Sequence, residues 1–253
     1  INNIIMEYRN IIKRNIIDTI HNFIFTNKEL LDSTGYVQSS NFITIFYQYN
    51  KDKNNNSIDY INNYPTVLKS KKVFDTLHNL LKLQEPLLKY ILFKIQLPDT
   101  IVNSLQHINE MLFSKFPNEM KVLDRGIYFS LENTIVNSHY DRVDRFLLQI
   151  KGTKKILLLP PKHIHSFREY PLLHIANRNF QIRSIKDNNS AKDDIQEYLL
   201  NEGDGLFIPK YWIHQIETDS ESISLVTTYV ESDNSTLEST HFYEIGKEID
   251  YYL

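Results

Sequence analysis

His139 and Asp141 stand two apart in IVNSHYD, a stretch of strand composition, so both side chains leave one face of the predicted strand. His214 lies in a second such stretch, YWIHQIE, just after the turn-bearing run GDGLFIPK. Two imidazoles and one carboxylate form a facial set that holds Fe(II) and leaves three coordination positions open, enough for a bidentate cosubstrate and O2. The neutral imidazoles bind the ion without saturating it, and the hard carboxylate lowers its potential. A lone His-x-Asp recurs by chance in many chains. The weight therefore rests on what surrounds it.

Lys154 lies thirteen residues beyond Asp141, across Lys151-Gly152-Thr153, and opens the run KKILLLPP. A lysine entering a closed barrel must find an anion, because an unpaired buried ammonium is strongly destabilising. A dicarboxylate chelating the metal would supply one. A lysine in solvent at the end of a hairpin would need none, and the sequence leaves both open.

The elements that must position these groups change character along the chain. From about residue 125, IYFSLENTIVNSHYD, DRFLLQIKG, KKILLLPP, EYLLNEGDGLFIP, YWIHQIETD and SISLVTTYV read as short strands. The turns between them include Lys151-Gly152-Thr153 and Glu202-Gly203-Asp204-Gly205, the latter a predicted hairpin turn. Short strands with tight turns and no intervening helices imply an antiparallel sandwich or barrel. The run 162–195 is a longer excursion with SIKDNNSAKDD as a solvated loop. Ahead of the strands, residues 1–33 predict one or two amphipathic helices and NFITIFYQY a strand. Residues 65–95 and 100–116 predict further helices, the first of them rich in lysine, and 234–253 a final one. The expected division is 1–124 for N-terminal helices plus an early strand, 125–232 for the barrel core and 233–253 for a C-terminal extension.

The run His139-Tyr140-Asp141, then DRFLLQIKGTKKILLLPP, then GDGLFIPKYWIHQI resembles the JmjC-type, cupin-fold Fe(II)/2-oxoglutarate oxygenases. The likeness covers roughly residues 125–230 and rests on four elements in order: the HYD dyad, a QxxGxK turn, a double-Pro strand end and the block ending in His214. Within that group the chain is most similar to the small hydroxylases, first the tRNA wybutosine hydroxylase type and then asparaginyl-type protein hydroxylases. The resemblance implies a mainly β fold with helical additions: a double-stranded β-helix, or jelly-roll barrel, with N-terminal helices and a short C-terminal helix. It implies Fe(II) on His139, Asp141 and His214, 2-oxoglutarate as cosubstrate, O2 as oxidant, and hydroxylation with release of succinate and CO2. Lys154 matches the lysine that pairs with the distal carboxylate of 2-oxoglutarate. The family also draws a tyrosine from an early strand, for which Tyr47 is preferred over Tyr49. Two positions depart from the family, which usually carries Asn at both. Arg145 stands six residues after the first His, and Thr228 near the end of the last barrel strand. An Arg there can still grip a carboxylate, crowd the pocket or swing to the surface.

The remaining residues narrow the class. The chain has 253 residues, no Cys and a formal net charge of −3. That excludes disulfides, Cys-ligated zinc and a thiol nucleophile, and argues against indiscriminate nucleic-acid binding. Lys69, Lys71 and Lys72 are where phosphate contacts are expected if the substrate is RNA. His163, His165 and His174 lack a carboxylate spaced to complete a second metal site and read as surface residues. Trp212 reads as barrel packing. No membrane span is expected, the cytosol or nucleus fits, and a homodimer through terminal helices is compatible with the pattern. A macromolecular substrate, tRNA or protein, is favoured. Two rivals stay open: a catalytically impaired barrel kept as a binding or scaffold module, and a metal cupin of another reaction type.

Overall fold

The computed structural model describes residues 5–26, 44–47, 49–50, 88–94, 97–116, 118–130, 132, 134–170, 178, 180–182 and 184–232. Among them, strands assemble into two antiparallel sheets. The larger has the order β1 (Met6–Tyr8), β10 (Gly205–Ile208), β7 (Asp144–Lys151), β12 (Ser222–Glu231), β5 (Met120–Ser130), β4 (Leu88–Lys94) and β2 (Thr44–Tyr47). The smaller runs β3 (Tyr49–Asn50), β6 (Thr134–His139), β11 (Ile213–Thr218), β8 (Lys154–Leu159) and β9 (Gln196–Leu200). From β5 to β8 each successive strand changes sheet, and so does each from β9 to β12. That is the jelly-roll way of closing a barrel, and the fold is the double-stranded β-helix expected.

Three apolar layers follow from this alternation. Leu147, Ile156, Leu158, Leu206, Ile208, Trp212, Ile216 and Val226 fill the space between the sheets. The outer face of the larger sheet, with Phe146, Leu148, Ile150 and Leu225, packs on three helices. These are α1 (Arg14–Thr26), α2 (Asp99–Ser104) and α3 (Gln106–Phe113). The outer face of the smaller sheet, with Leu157, Leu159 and Ile213, is covered by Phe167, Phe180, Ile185 and Ala191. Strands buried on both faces read as continuous apolar runs, which is why KKILLL and DRFLLQI show no clean alternation. No helix among the described residues is long and apolar enough to cross a membrane.

The structure differs from the sequence expectations at four places. Leu88–Lys94, expected to be helical, is strand β4, paired with β5 from Tyr90↔Ser130 to Lys94↔Gly126. Its apolar run between Lys89 and Lys94 suits a helix as well as a strand, but the open edge of β5 takes it as a partner. Within 1–33 the described residues hold a strand, β1, zipped onto β10 through Met6↔Phe207, ahead of α1. The turn at 202–205 joins β9 in one sheet to β10 in the other, so it is a crossover and not a hairpin; Lys151-Gly152-Thr153 does the same between β7 and β8. The solvated loop expected at 184–194 is two 3-10 segments that bury Ile185 and Ala191. They are held by Gln215 Oε1, which accepts from the Ile185 amide, and by Lys186 Nζ on Glu217 Oε1 (2.8 and 2.7 Å). The basic stretch at 69–72, His174 and the C-terminal extension lie outside the described residues.

Gly152 has φ of +70°, and a Cβ there would collide with the backbone carbonyl oxygen of Glu221. Both the left-handed backbone and the close approach demand glycine. Gly152→Ala is expected to lower the unfolding free energy by roughly 1–3 kcal/mol, read from urea denaturation.

Candidate metal centre

The smaller sheet brings the two imidazoles together. β6 and β11 pair antiparallel with His139 directly opposite His214, and the ladder shifts register just after His214. The ring centroids lie 4.1 Å apart, tilted by 56°. Each ring meets the carbonyl two residues before it: His139 Nδ1 to Asn137 O at 2.8 Å and His214 Nδ1 to Trp212 O at 2.9 Å. A proton on each Nδ1 leaves each Nε2 with a free lone pair, the tautomer a metal needs. Asp141 sits just past the end of β6, its Oδ2 3.6 Å from His214 Nε2. One ligand atom from each of the three residues lies within 4.8 Å of the others, and no other such cluster occurs among the described residues.

The turn carrying Asp141 is docked against the turn leading into β11. The Tyr211 amide donates to Asp141 O (2.7 Å), the Tyr140 amide to Arg178 O (3.1 Å) and the Lys210 amide to Asp144 Oδ1 (2.8 Å). Tyr211 and Arg178 both adopt φ of +68°, a conformation non-glycine residues seldom hold unless their surroundings enforce it. The two ligand-bearing segments are therefore locked together through the main chain.

Burial and charge set the protonation states. Burial, with His214 close by, pushes His139 down to about 3. Burial also lowers His214, against the pull of Asp141. Burial alone would raise Asp141, but Arg145, both imidazoles and Arg178 together hold it well below the ordinary carboxylate range. At neutral pH the three present two neutral imidazoles and one carboxylate, a borderline set suited to a first-row divalent ion.

Of the cosubstrate residues expected from sequence, Arg145 turns inward. Its Nε lies 2.6 Å from Asp141 Oδ2, Nη2 donates to Asp141 Oδ1 (3.2 Å) and Nη1 donates to the Tyr128 hydroxyl (2.7 Å). Thr228 is buried and stands opposite Arg145 in the β7–β12 ladder. Lys154 is 1% exposed, on the same face of β8 as the interior residues Ile156 and Leu158. No partner for its ammonium occurs among the described residues, and burial lowers it to about 7. The hydroxyls of Ser130, Ser222 and Thr218 are likewise buried without a hydrogen-bond partner. Strand register turns them toward the interior, Thr218 from Lys154's sheet and the two serines from the opposite one, at the end of the barrel away from the imidazoles. An unpaired cation and three orphaned donors fit an organic carboxylate. Tyr47 lies in β2, and its side chain, like that of Tyr49, lies outside the described residues. The tyrosine the structure does bring to Arg145 is Tyr128, which sequence reasoning missed. Its place in IYFS, on the same strand face as Ser130, was the available signal. Trp212 packs in the interior. His163 pairs with Asp194 (2.7 Å), and His165 is largely exposed.

Residues 14–235 match the cupin-like domain family, and the chain belongs to it. It is similar to lysine-specific demethylase JMJ31 of Arabidopsis thaliana, at 29% identity over 35% of this chain and 18% of that protein. It is also similar to tRNA wybutosine-synthesizing protein 5 of Gallus gallus, at 28% identity over 35% of this chain and 28% of the relative. The aligned stretch thus spans less than a third of either relative. Among solved structures, the ribosomal oxygenase YcfD of Escherichia coli matches 56% of this chain and 31% of its own, at 17% identity and a TM-score of 0.33.

The buried ammonium makes a stability prediction with a definite sign. Lys154 has a folded value near 7 against an ordinary 10.5. Between those values the unfolded chain holds the proton and the folded chain does not, so stability should climb with pH across that window. Below it both states are protonated and the burial penalty is complete. Lys154→Met should remove the climb and, near neutral pH, stabilise the protein by about 1–3 kcal/mol, measured by urea unfolding over a pH series.

Proposed function

We propose that this chain is an Fe(II)- and 2-oxoglutarate-dependent oxygenase that hydroxylates a macromolecule, with a modified tRNA base ahead of a protein side chain as the target. The observation that carries the reading is the convergence of His139, Asp141 and His214 in the same barrel interior as a buried, unpaired Lys154. The choice of substrate class leans on the similarity to a tRNA wybutosine-synthesizing protein. The domain division proposed remains 1–124, 125–232 and 233–253.

His139 and His214 through Nε2, and Asp141 through a carboxylate oxygen, would hold the metal. When bound, iron and its cosubstrate supply the activated oxygen that attacks a C–H bond. The chain's own residues do the rest. The carbonyls of Asn137 and Trp212 fix the imidazole tautomers and ring planes. Lys154 pairs with the far carboxylate of the diacid, with the hydroxyls of Ser130, Ser222 and Thr218 as further donors. Thr228, Tyr128 and Arg145 border the space between that end and the metal. The apolar lining of Leu147, Leu158 and Ile208 excludes water, which strengthens each of these electrostatic contacts.

The hold of Arg145 on Asp141 favours a second reading, a barrel that binds metal yet turns nothing over. One experiment separates the two. Under anaerobic conditions, Fe(II) with 2-oxoglutarate should give a visible charge-transfer band that His139→Ala abolishes, and admitting air should release succinate. A band without succinate supports the second reading. If no band forms and His139→Ala behaves as wild type, neither reading survives.

A further inference from the structure

The carboxylate that would bind the metal already has two permanent cations on it. Arg145 lies 2.6 Å from Oδ2 and 3.2 Å from Oδ1, and Arg178 Nη1 lies 3.0 Å from Oδ1. The oxygen nearest Arg145, Oδ2, is also the one facing His214 Nε2 at 3.6 Å. Arg145 is not a loose surface residue. It stands on the interior face of β7 between Ile208 of β10 and Thr228 of β12, its side chain is 23% exposed, and the Tyr128 hydroxyl tethers Nη1. Arg178 is more exposed, at 42%, and its charge is better screened by solvent.

The charge count decides what such a site accepts. Asp141 carries −1, and Arg145 and Arg178 carry +1 each, so the cluster stands at +1 before any metal arrives. A divalent ion would raise it to +3, with the Lys154 ammonium in the same interior. A half-buried guanidinium beside the ion repels it and competes for its one anionic ligand. A ligand of charge −2 bridging from the metal to Lys154 relieves both effects. Its near carboxylate would lie beside the metal, where the Arg145 fork can donate to it in the planar geometry that suits carboxylates.

Building on the metal reading above, we propose that Arg145 is a positioning residue that makes metal binding conditional on an organic dicarboxylate: the ion alone binds weakly, and the diacid and the ion bind cooperatively because the guanidinium shares its donors between Asp141 and the diacid. Coupling of this kind is reciprocal, so the ion raises affinity for the diacid by the same factor.

The test uses Mn(II) as the probe and the full chain, with free Mn(II) followed by its electron paramagnetic resonance signal, with and without saturating 2-oxoglutarate. The wild type should bind Mn(II) about tenfold or more tightly once the diacid is present. Arg145→Gln should bind Mn(II) alone about tenfold more tightly than wild type, and the diacid should then add little. Arg145→Met serves the same purpose in the apolar interior should the Gln variant fail to fold. Arg145→Lys keeps the cation and should bind Mn(II) alone as weakly as wild type. Wild-type affinity indifferent to 2-oxoglutarate, or charge-removing variants with unchanged Mn(II) affinity, would overturn the inference and leave the metal reading standing. Mn(II) binding no better in wild type than in His139→Ala with saturating 2-oxoglutarate present would sink the metal reading itself, and this inference with it.

Discussion

The site depends on one cross-strand pair. His139 and His214 meet because β6 and β11 hold a single antiparallel register, and a slip of one residue would turn one imidazole out of the barrel. That register is protected on every side. β11 lies between β6 and β8, its residues are buried on both faces, and its outward Gln215 and Glu217 are tied to the covering segment at 185–186. Asp141 lies beyond the strand end, where the sheet no longer fixes it, and main-chain hydrogen bonds from Tyr211 and to Arg178 take over that task. Preorganisation here comes from backbone contacts, which a change of side chain disturbs least.

The second organising fact is charge inside an apolar shell. The interior holds Lys154 and Arg145 among Leu147, Ile156, Leu158 and Ile208, with Asp141 as the ionised acid beside Arg145. A sequence selected for stability alone would not bury an unpaired ammonium opposite three unpartnered hydroxyls. Such local violations of folding rules mark places where a bound group completes the electrostatics. The two ends of the barrel interior also differ in kind. The imidazole end is tightly hydrogen-bonded within itself, whereas the lysine end leaves its donors open. A ligand that spans them must carry negative charge at the far end and donor atoms for a metal at the near one.

Much of this was legible in the sequence, and the reasons are specific. The His139–Asp141 spacing and the downstream His214 survive as local patterns because strand periodicity fixes which face a residue takes. The jelly-roll strands announced themselves through Gly-bearing turns. What stayed hidden depended on pairing between distant segments. Leu88–Lys94 is a strand only because β5 needs a neighbour on that side. The turn at 202–205 has hairpin composition, and only the assignment of β9 and β10 to different sheets shows that it crosses the barrel. Tyr128 gave only a weak signal through its strand face, since a tyrosine in a strand is ordinarily core, and its link to Arg145 exists only once β5 and β7 flank β12.

Arg145 shows how far a single departure from a family pattern can be read. Its sequence position left three outcomes open: gripping a carboxylate, crowding the pocket, or escaping to the surface. The structure removes the last, because the ladder from β10 through β7 to β12 points the side chain inward. The other two then cease to be alternatives. A guanidinium that reaches Asp141 is necessarily in the space beside the candidate metal ligands, and there it acts on every anion that enters. An asparagine at this position would offer one neutral amide and no net charge. The arginine puts a permanent cation in its place, so the departure changes the electrostatic condition for filling the site while the geometry of its three ligands stays the same.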